Sequence, residues 1–149
     1  MTTVNVYLTF NGNCEESFLY YKSIFGGEFD HIGRFKEMPE DPKFPMSEAD
    51  KEKIMHISLP ISKETFLLGS DTGGEWASKY VQGNNFSISI TTDSKVEADR
   101  LFKGLSKGGK VIMPMNQAFW GSYFGNFIDQ FGIGWMVSYD DPNREKPVG

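Results

Sequence analysis

The sequence predicts an α+β fold made of two diverged copies of one β-α-β-β-β unit. Two runs alternate apolar and polar residues with the period of a strand, and each is followed by a helically spaced stretch that opens on a capping residue and ends on paired glycines. The landmarks also keep one spacing, because Phe10 and Thr92 stand 82 positions apart, as do Gly26 and Gly108. At 149 residues the chain fits one domain with a core that needs neither disulfides nor metal, its modules spanning about 3–71 and 84–140.

In the first copy Val4, Val6, Leu8 and Phe10 alternate with Asn5, Tyr7 and Thr9, which gives a strand one apolar face. After the turn Asn11-Gly12, Asn13 is placed to cap a helix with Glu16 three residues on. Phe18, Tyr21, Ile24 and Phe25 make its apolar stripe, and Gly26-Gly27 ends it. Strand-like runs follow at residues 28–35, 54–61 and 65–70. Between the first two lies EMPEDPKFPMSEADKEK, residues 37–53, polar, acidic and proline-bearing, which reads as a solvated insertion or as a lid. DTGGEWASKYVQGNN, residues 71–85, joins the copies, and its Trp76 and Tyr80 suggest that it docks on the body.

In the second copy Ile88, Ile90 and Thr92 alternate with Ser87, Ser89 and Thr91. Ser94 with Glu97 then caps a helix carrying Ala98, Leu101, Phe102 and Leu105, closed by Gly108-Gly109. Strands are expected at residues 110–113, 122–129 and 134–139, and the tail DDPNREKPVG is expected to be loose.

Composition narrows the function. Fifteen Lys and Arg against twenty Asp and Glu leave a formal charge of -5 with no basic stripe, so neither nucleic acid nor an anionic membrane is an expected partner. Cys14 is the single cysteine, which rules out an intrachain disulfide and a thiolate-rich zinc site, and it reads as a small packed residue. The first residues carry neither a basic region nor a long apolar run, so a cytoplasmic location is the expectation. Thirteen Phe, six Tyr and three Trp point to a large buried or pocket-lining aromatic surface. In FWGSYFGNFIDQFGIGWMVSYD, residues 119–140, Trp120 and Tyr123 beside glycines suit a pocket rim or dimer contact, while Trp135 is open between core and pocket.

The duplicated unit resembles the vicinal oxygen chelate superfamily, which includes glyoxalase I, bleomycin-resistance proteins and extradiol dioxygenases. The words YLTFNGNCEESFLYYKSIFGG, IMHISLPI, LLGSD and FWGSYFGNFIDQFGIGWMV make it similar to the PhnB-like branch, often labelled a 3-demethylubiquinone methyltransferase domain. The resemblance runs from Val4 to Tyr139 and implies a curved mixed sheet. It also implies metal ligands from the first and last strands of each copy. Those positions fall on Asn5, Ser87, Met136 and a residue of TFLLGS, none of them a competent zinc, nickel or iron ligand, so no metal is expected. Nor does a glycine-rich motif that could seat S-adenosylmethionine follow any strand, and no cofactor is expected.

His56 alternates with Ile57 and Leu59, which turns it with Ser58 toward the concave face; His31 carries less signal. Three functions are open. The first is a metal-free small-molecule binder, a homodimer whose cavity is lined by Asn5, Tyr7, Thr9, His56, Ser87, Ser89, Trp120, Tyr123 and Met136. The second is a glyoxalase-like or isomerase/lyase enzyme with His56 as general base and Asn5 or Tyr7 donating to a developing oxyanion. The third is an interaction domain whose cavity is filled by its own aromatics.

Overall fold

Backbone pairing repeats the same unit in each half of the chain. The computed structural model describes residues 2–143 and divides between Val81 and Gln82 into two compact units; the tail beyond residue 143 lies outside the described residues. The N-terminal unit contains β1 (Val6–Phe10), α1 (Cys14–Phe25), β2 (His31–Arg34), α2 (Glu48–Lys51), β3 (Ile54–Pro60) and β4 (Phe66–Asp71). Its sheet runs β1-β4-β3-β2, with β1 parallel to β4 and the other pairs antiparallel. The C-terminal unit contains β5 (Ile88–Thr92), α3 (Lys95–Ser106), β6 (Lys110–Gln117), β7 (Ser122–Ile128) and β8 (Gly134–Asp140). Its order, β5-β8-β7-β6 with β5 parallel to β8, is the same.

Strand parity decides what each helix covers. In the N-terminal unit Leu8, Phe10, Ile57, Leu59 and Leu67 are buried, and α1 buries Cys14, Ser17, Phe18 and Tyr21. Phe18 meets Phe10 and Tyr21 edge to face at 6.2 and 5.8 Å, and Gly69 lets α1 come close, since a Cβ there would stand 2.6 Å from the Phe18 ring. In the C-terminal unit α3 buries Ala98, Leu101 and Leu105, while Ile88, Phe127, Trp135 and Val137 are the buried strand residues. Each buried Leu, Ile, Val or Phe among them contributes ~1.5–3 kcal/mol on removal from water.

Several expectations need correction. Ile90 is half-buried, and Ile88 is the β5 residue sealed in the core. Trp135, which the sequence left open between core and pocket, is core, 1% exposed. Ser94 caps α3 as expected, its Oγ accepting from Glu97 N at 3.1 Å, but the Asn13 side chain makes no cap. A buried carboxylate takes that place: Asp71 Oδ1 accepts from Gly12 N at 3.0 Å and Cys14 N at 2.9 Å, while Oδ2 accepts from Ile54 N at 2.9 Å. A charged acceptor from β4 holds those amides better than a neutral carboxamide one residue away.

β2 is shorter than the apolar run, and β6 runs past Pro114 to Gln117. β6 is an edge strand with register shifts between Val111 and Met113 and between Met113 and Asn116, so the missing proline N–H interrupts little. The insertion contains α2 and, at its start, a 3-10 turn (Phe35–Glu37). Trp76, in a 3-10 helix (Gly74–Lys79), is 62% exposed rather than docked.

Candidate functional site

The face of each sheet opposite its helix is the open face. In the N-terminal unit Tyr7 and Thr9 stand there, exposed, because Leu8 and Phe10 face α1. The ladder aligns Tyr7 with Leu68, Leu68 with Ser58 and Ser58 with His31, and in the adjoining row Thr9 with Ser70. His56, opposite Gly33, lies between two rings: Tyr7 stacks on it with centroids 6.0 Å apart and planes at 27°, and His31 tilts over it at 5.4 Å. The parity that placed His56 with Ser58 is therefore observed. His31 carried less signal in the sequence because its position depends on β2 pairing with β3; what the sequence offered was only its parity with Gly33, opposite Ile32. Asn5 lies just before β1, half-buried, and its Oδ1 accepts from Phe66 N at 3.0 Å, which ties the start of β4 to that of β1.

The C-terminal unit has its own open face. Ser89 aligns with Met136 and Met136 with Asn126, while Thr91 aligns with Ser138 and Ser138 with Phe124. Ser87, just ahead of β5, is exposed and lies against Gly134, whose added Cβ would be 3.0 Å from its Oγ. Among the described residues Asn126 Oδ1 is buried without a hydrogen-bond partner. Trp120 sits in the β6–β7 turn with Phe119 and Phe124 edge-on at 5.0 and 5.6 Å.

Tyr123 does not join this group. It shares parity with buried Gly125 and Phe127, so it faces α3, where its hydroxyl donates to Asp99 Oδ1 at 2.6 Å and Lys95 lies 4.7 Å over its ring. That bond to Asp99, with some burial, raises the phenol above its ordinary value. Cys14 is buried at the start of α1; burial first, then the charges of Asp71 and Glu15, push its thiol well up, so it is protonated at neutral pH.

Neither group implied by the resemblance fits these residues. At the metal positions the Asn5 oxygen already holds a backbone N–H, Ser87 offers a hydroxyl and Met136 a thioether. β4 supplies Leu68 and Ser70 to the open face, and among the described residues no three His, Cys, Asp or Glu side chains gather as a metal would require. For a nucleoside cofactor the natural seat is the strand-to-helix turn. Here the Gly12 and Cys14 amides are spent on Asp71, and the β5–α3 junction, Asp93-Ser94, has no glycine.

One cavity borders the open face. At the end of β1 a cleft of about 690 Å³ runs between the stretch Phe44, Pro45 and Met46 of the insertion and Trp76, with Thr9, Asp71 and Thr72 among its lining.

Repeated β-α-β-β-β units with parallel first and last strands define the class, an α+β fold shared with a glyoxalase/bleomycin resistance protein/dioxygenase family enzyme from Burkholderia phytofirmans PsJN at 12% identity, TM-score 0.58 over 91% of this chain and 95% of that one. A family model described as 3-demethylubiquinone-9 3-methyltransferase matches residues 2–138, and the chain belongs to that family. It is 37% identical to protein PA1353 from Pseudomonas aeruginosa, whose crystal structure superposes with TM-score 0.78 over 94% of this chain and 98% of that one. It is 27% identical over 138 residues to Protein YjdN of Escherichia coli (strain K12), covering 89% of this chain and 91% of that protein. The fold is shared at 22% identity with a PhnB protein from Bacillus cereus, TM-score 0.69 over 93% and 99% of the two chains.

Proposed function

We propose that the protein is a metal-independent small-molecule binder that receives a planar or amphipathic organic molecule on the open sheet face, and that it works as a cytoplasmic homodimer. The observation that carries this is the group of rings Tyr7, His56 and His31, in contact on the sheet face opposite α1, with the hydroxyls of Thr9 and Ser70 on the same face. Flat rings supply apolar area and hydroxyls supply orientation, the usual division of labour in a ligand site. The Asn5, Ser87 and Met136 donors suit hydrogen bonds and van der Waals contact better than a divalent ion. The exposed apolar Val111, Ile112 and Met113 on edge strand β6 support pairing with a second copy. No described helix is long and apolar enough to cross a membrane.

A thermal-shift survey of planar aromatic compounds tests this. A binder raises the midpoint in proportion to the logarithm of its concentration, and Tyr7→Ala and His56→Ala remove the rise while leaving the unliganded midpoint nearly unchanged. A rise that persists undiminished in both variants would mean that the open face is not the site.

A further inference from the structure

The geometry points to a second ligand site, adjoining the open sheet face at Thr9 but lined by none of Tyr7, His56 and His31: the cleft between the insertion and Trp76, which takes a flat aromatic anion. Its size, about 690 Å³, lies within the ~300–1,000 Å³ of small-molecule sites. Two large rings from different segments flank it and remain largely exposed, Phe44 at 67% and Trp76 at 62%, with Lys79 Nζ 4.9 Å over the indole. Rings left in water on both sides of one cleft are placed to sandwich a third.

Both walls are anchored. On one side Asp41 closes a turn, its carbonyl accepting from Phe44 N at 3.0 Å and its Oδ1 from Lys43 N at 2.9 Å. On the other, Gly74 N donates to Asp50 Oδ2 on α2 at 3.2 Å, and Trp76 N donates to Gly73 O at 3.2 Å. The floor is fixed by Asp71 through its three backbone donors.

Charge selects the anion. The two carboxylates that line the cleft are both engaged, Asp71 by those amides and Asp50 by Lys53 Nζ at 2.8 Å and by Gly74. Lys43, the remaining charged side chain of the lining, is in no ion pair among the described residues. A ligand therefore meets two exposed rings, the Lys43 ammonium and the Lys79 ammonium that lies over Trp76, the complement of an aromatic carboxylate or sulfonate.

The probe is 8-anilinonaphthalene-1-sulfonate, whose emission rises in apolar sites and accepts energy from tryptophan. Saturable binding at about one dye per chain is expected, with energy transfer from Trp76. Phe44→Ala and Trp76→Ala should each weaken it at least about tenfold without lowering the melting midpoint, because neither ring is buried in the core. Lys43→Gln should weaken the dye and flatten its salt dependence, while the uncharged N-phenyl-1-naphthylamine binds wild type and K43Q alike. The His56→Ala variant should bind the dye as wild type does, which separates this cleft from the open face. Dye binding that survives both F44A and W76A, or that is lost in H56A, overturns the site. Equal affinity of K43Q and wild type for the sulfonate overturns its preference for anions.

Discussion

Two buried carboxylates hold the turns of this protein. Asp71 serves three backbone amides, and Asp129 does comparable work in the second unit: Oδ1 accepts from Phe131 N at 2.9 Å and Ile133 N at 3.0 Å, and Oδ2 accepts from Trp135 Nε1 at 2.8 Å. The spacing DQFG-x-x-W is thereby explained as an aspartate that folds its own turn and orients the indole that follows. Asp71→Ala should cost ~2–4 kcal/mol in urea unfolding, since each buried donor left unpaired costs ~1–3 kcal/mol. Asp71→Asn should also be costly, because its NH2 must oppose one of those donors. Asp129→Ala should destabilise similarly and shift Trp135 emission; an unchanged spectrum would deny the indole bond its role. Asp50 gives a pH test. Its bond to Lys53 above all, aided by the Gly74 N–H and opposed by partial burial, holds its carboxyl below the usual range. A depressed folded value contributes stability above the unfolded value, ~3.9, and that contribution is lost as pH falls through the lower folded value. Wild type should therefore exceed Asp50→Asn by about 1 kcal/mol at neutral pH and converge with it in acid. At this scale the sequence showed donors and acceptors but not their partners. Asn13 looked like the cap because it is adjacent, while Asp71, 57 residues from Cys14, makes the bond.

Between elements, the helix-to-sheet contact sets tolerance to change. Leu8→Ala should cost ~2–5 kcal/mol and Ile88→Ala a similar amount, whereas Tyr7→Ala on the open face should stay within ~1 kcal/mol. Equilibrium melts in which Tyr7→Ala is the most damaging would reverse the assignment of faces. Gly69→Ala places a methyl 2.6 Å from the Phe18 ring and 3.0 Å from Leu8 O, and should cost ~1–3 kcal/mol by forcing α1 outward. Adding Phe18→Leu should cost less than the sum of the single changes, because the residues share one contact. Period-two alternation made these faces legible, since it names the buried set of β1 and β4, and Ile57 and Leu59 of β3, without knowing the partners. It failed at strand ends and edges. β2 carries only four paired residues, and β6 extends past a proline that pattern reasoning treats as a stop. Tyr123 was misplaced for a related reason: nearness to glycines suggested a rim, while its parity with Phe127 puts it against α3.

For the whole molecule, light scattering should give twice the chain mass across micromolar concentrations, and a monomer throughout would remove the homodimer from the proposal. Chelator should leave the melting midpoint unchanged, because the family positions carry an amide already bonded, a hydroxyl and a thioether. The duplication was readable from the 82-residue offset alone. The cleft was not, because Thr9, Phe44 and Trp76 lie far apart in the chain and the insertion carries no periodicity to say what it borders.

That insertion leaves β2 and enters β3 at neighbouring points, since Arg34 and Ile54 are paired across the ladder. Loop-closure entropy rises only with the logarithm of length, so doubling such a segment costs about 0.6 kcal/mol. The wall formed by Phe44, Pro45 and Met46 can thus be lengthened, trimmed or rewritten at little expense to the sheet, while the Asp71 floor belongs to β4 and stays with it. Mutation has an inexpensive route to a new guest molecule here: one surface loop can drift while the scaffold that presents it stays as it is.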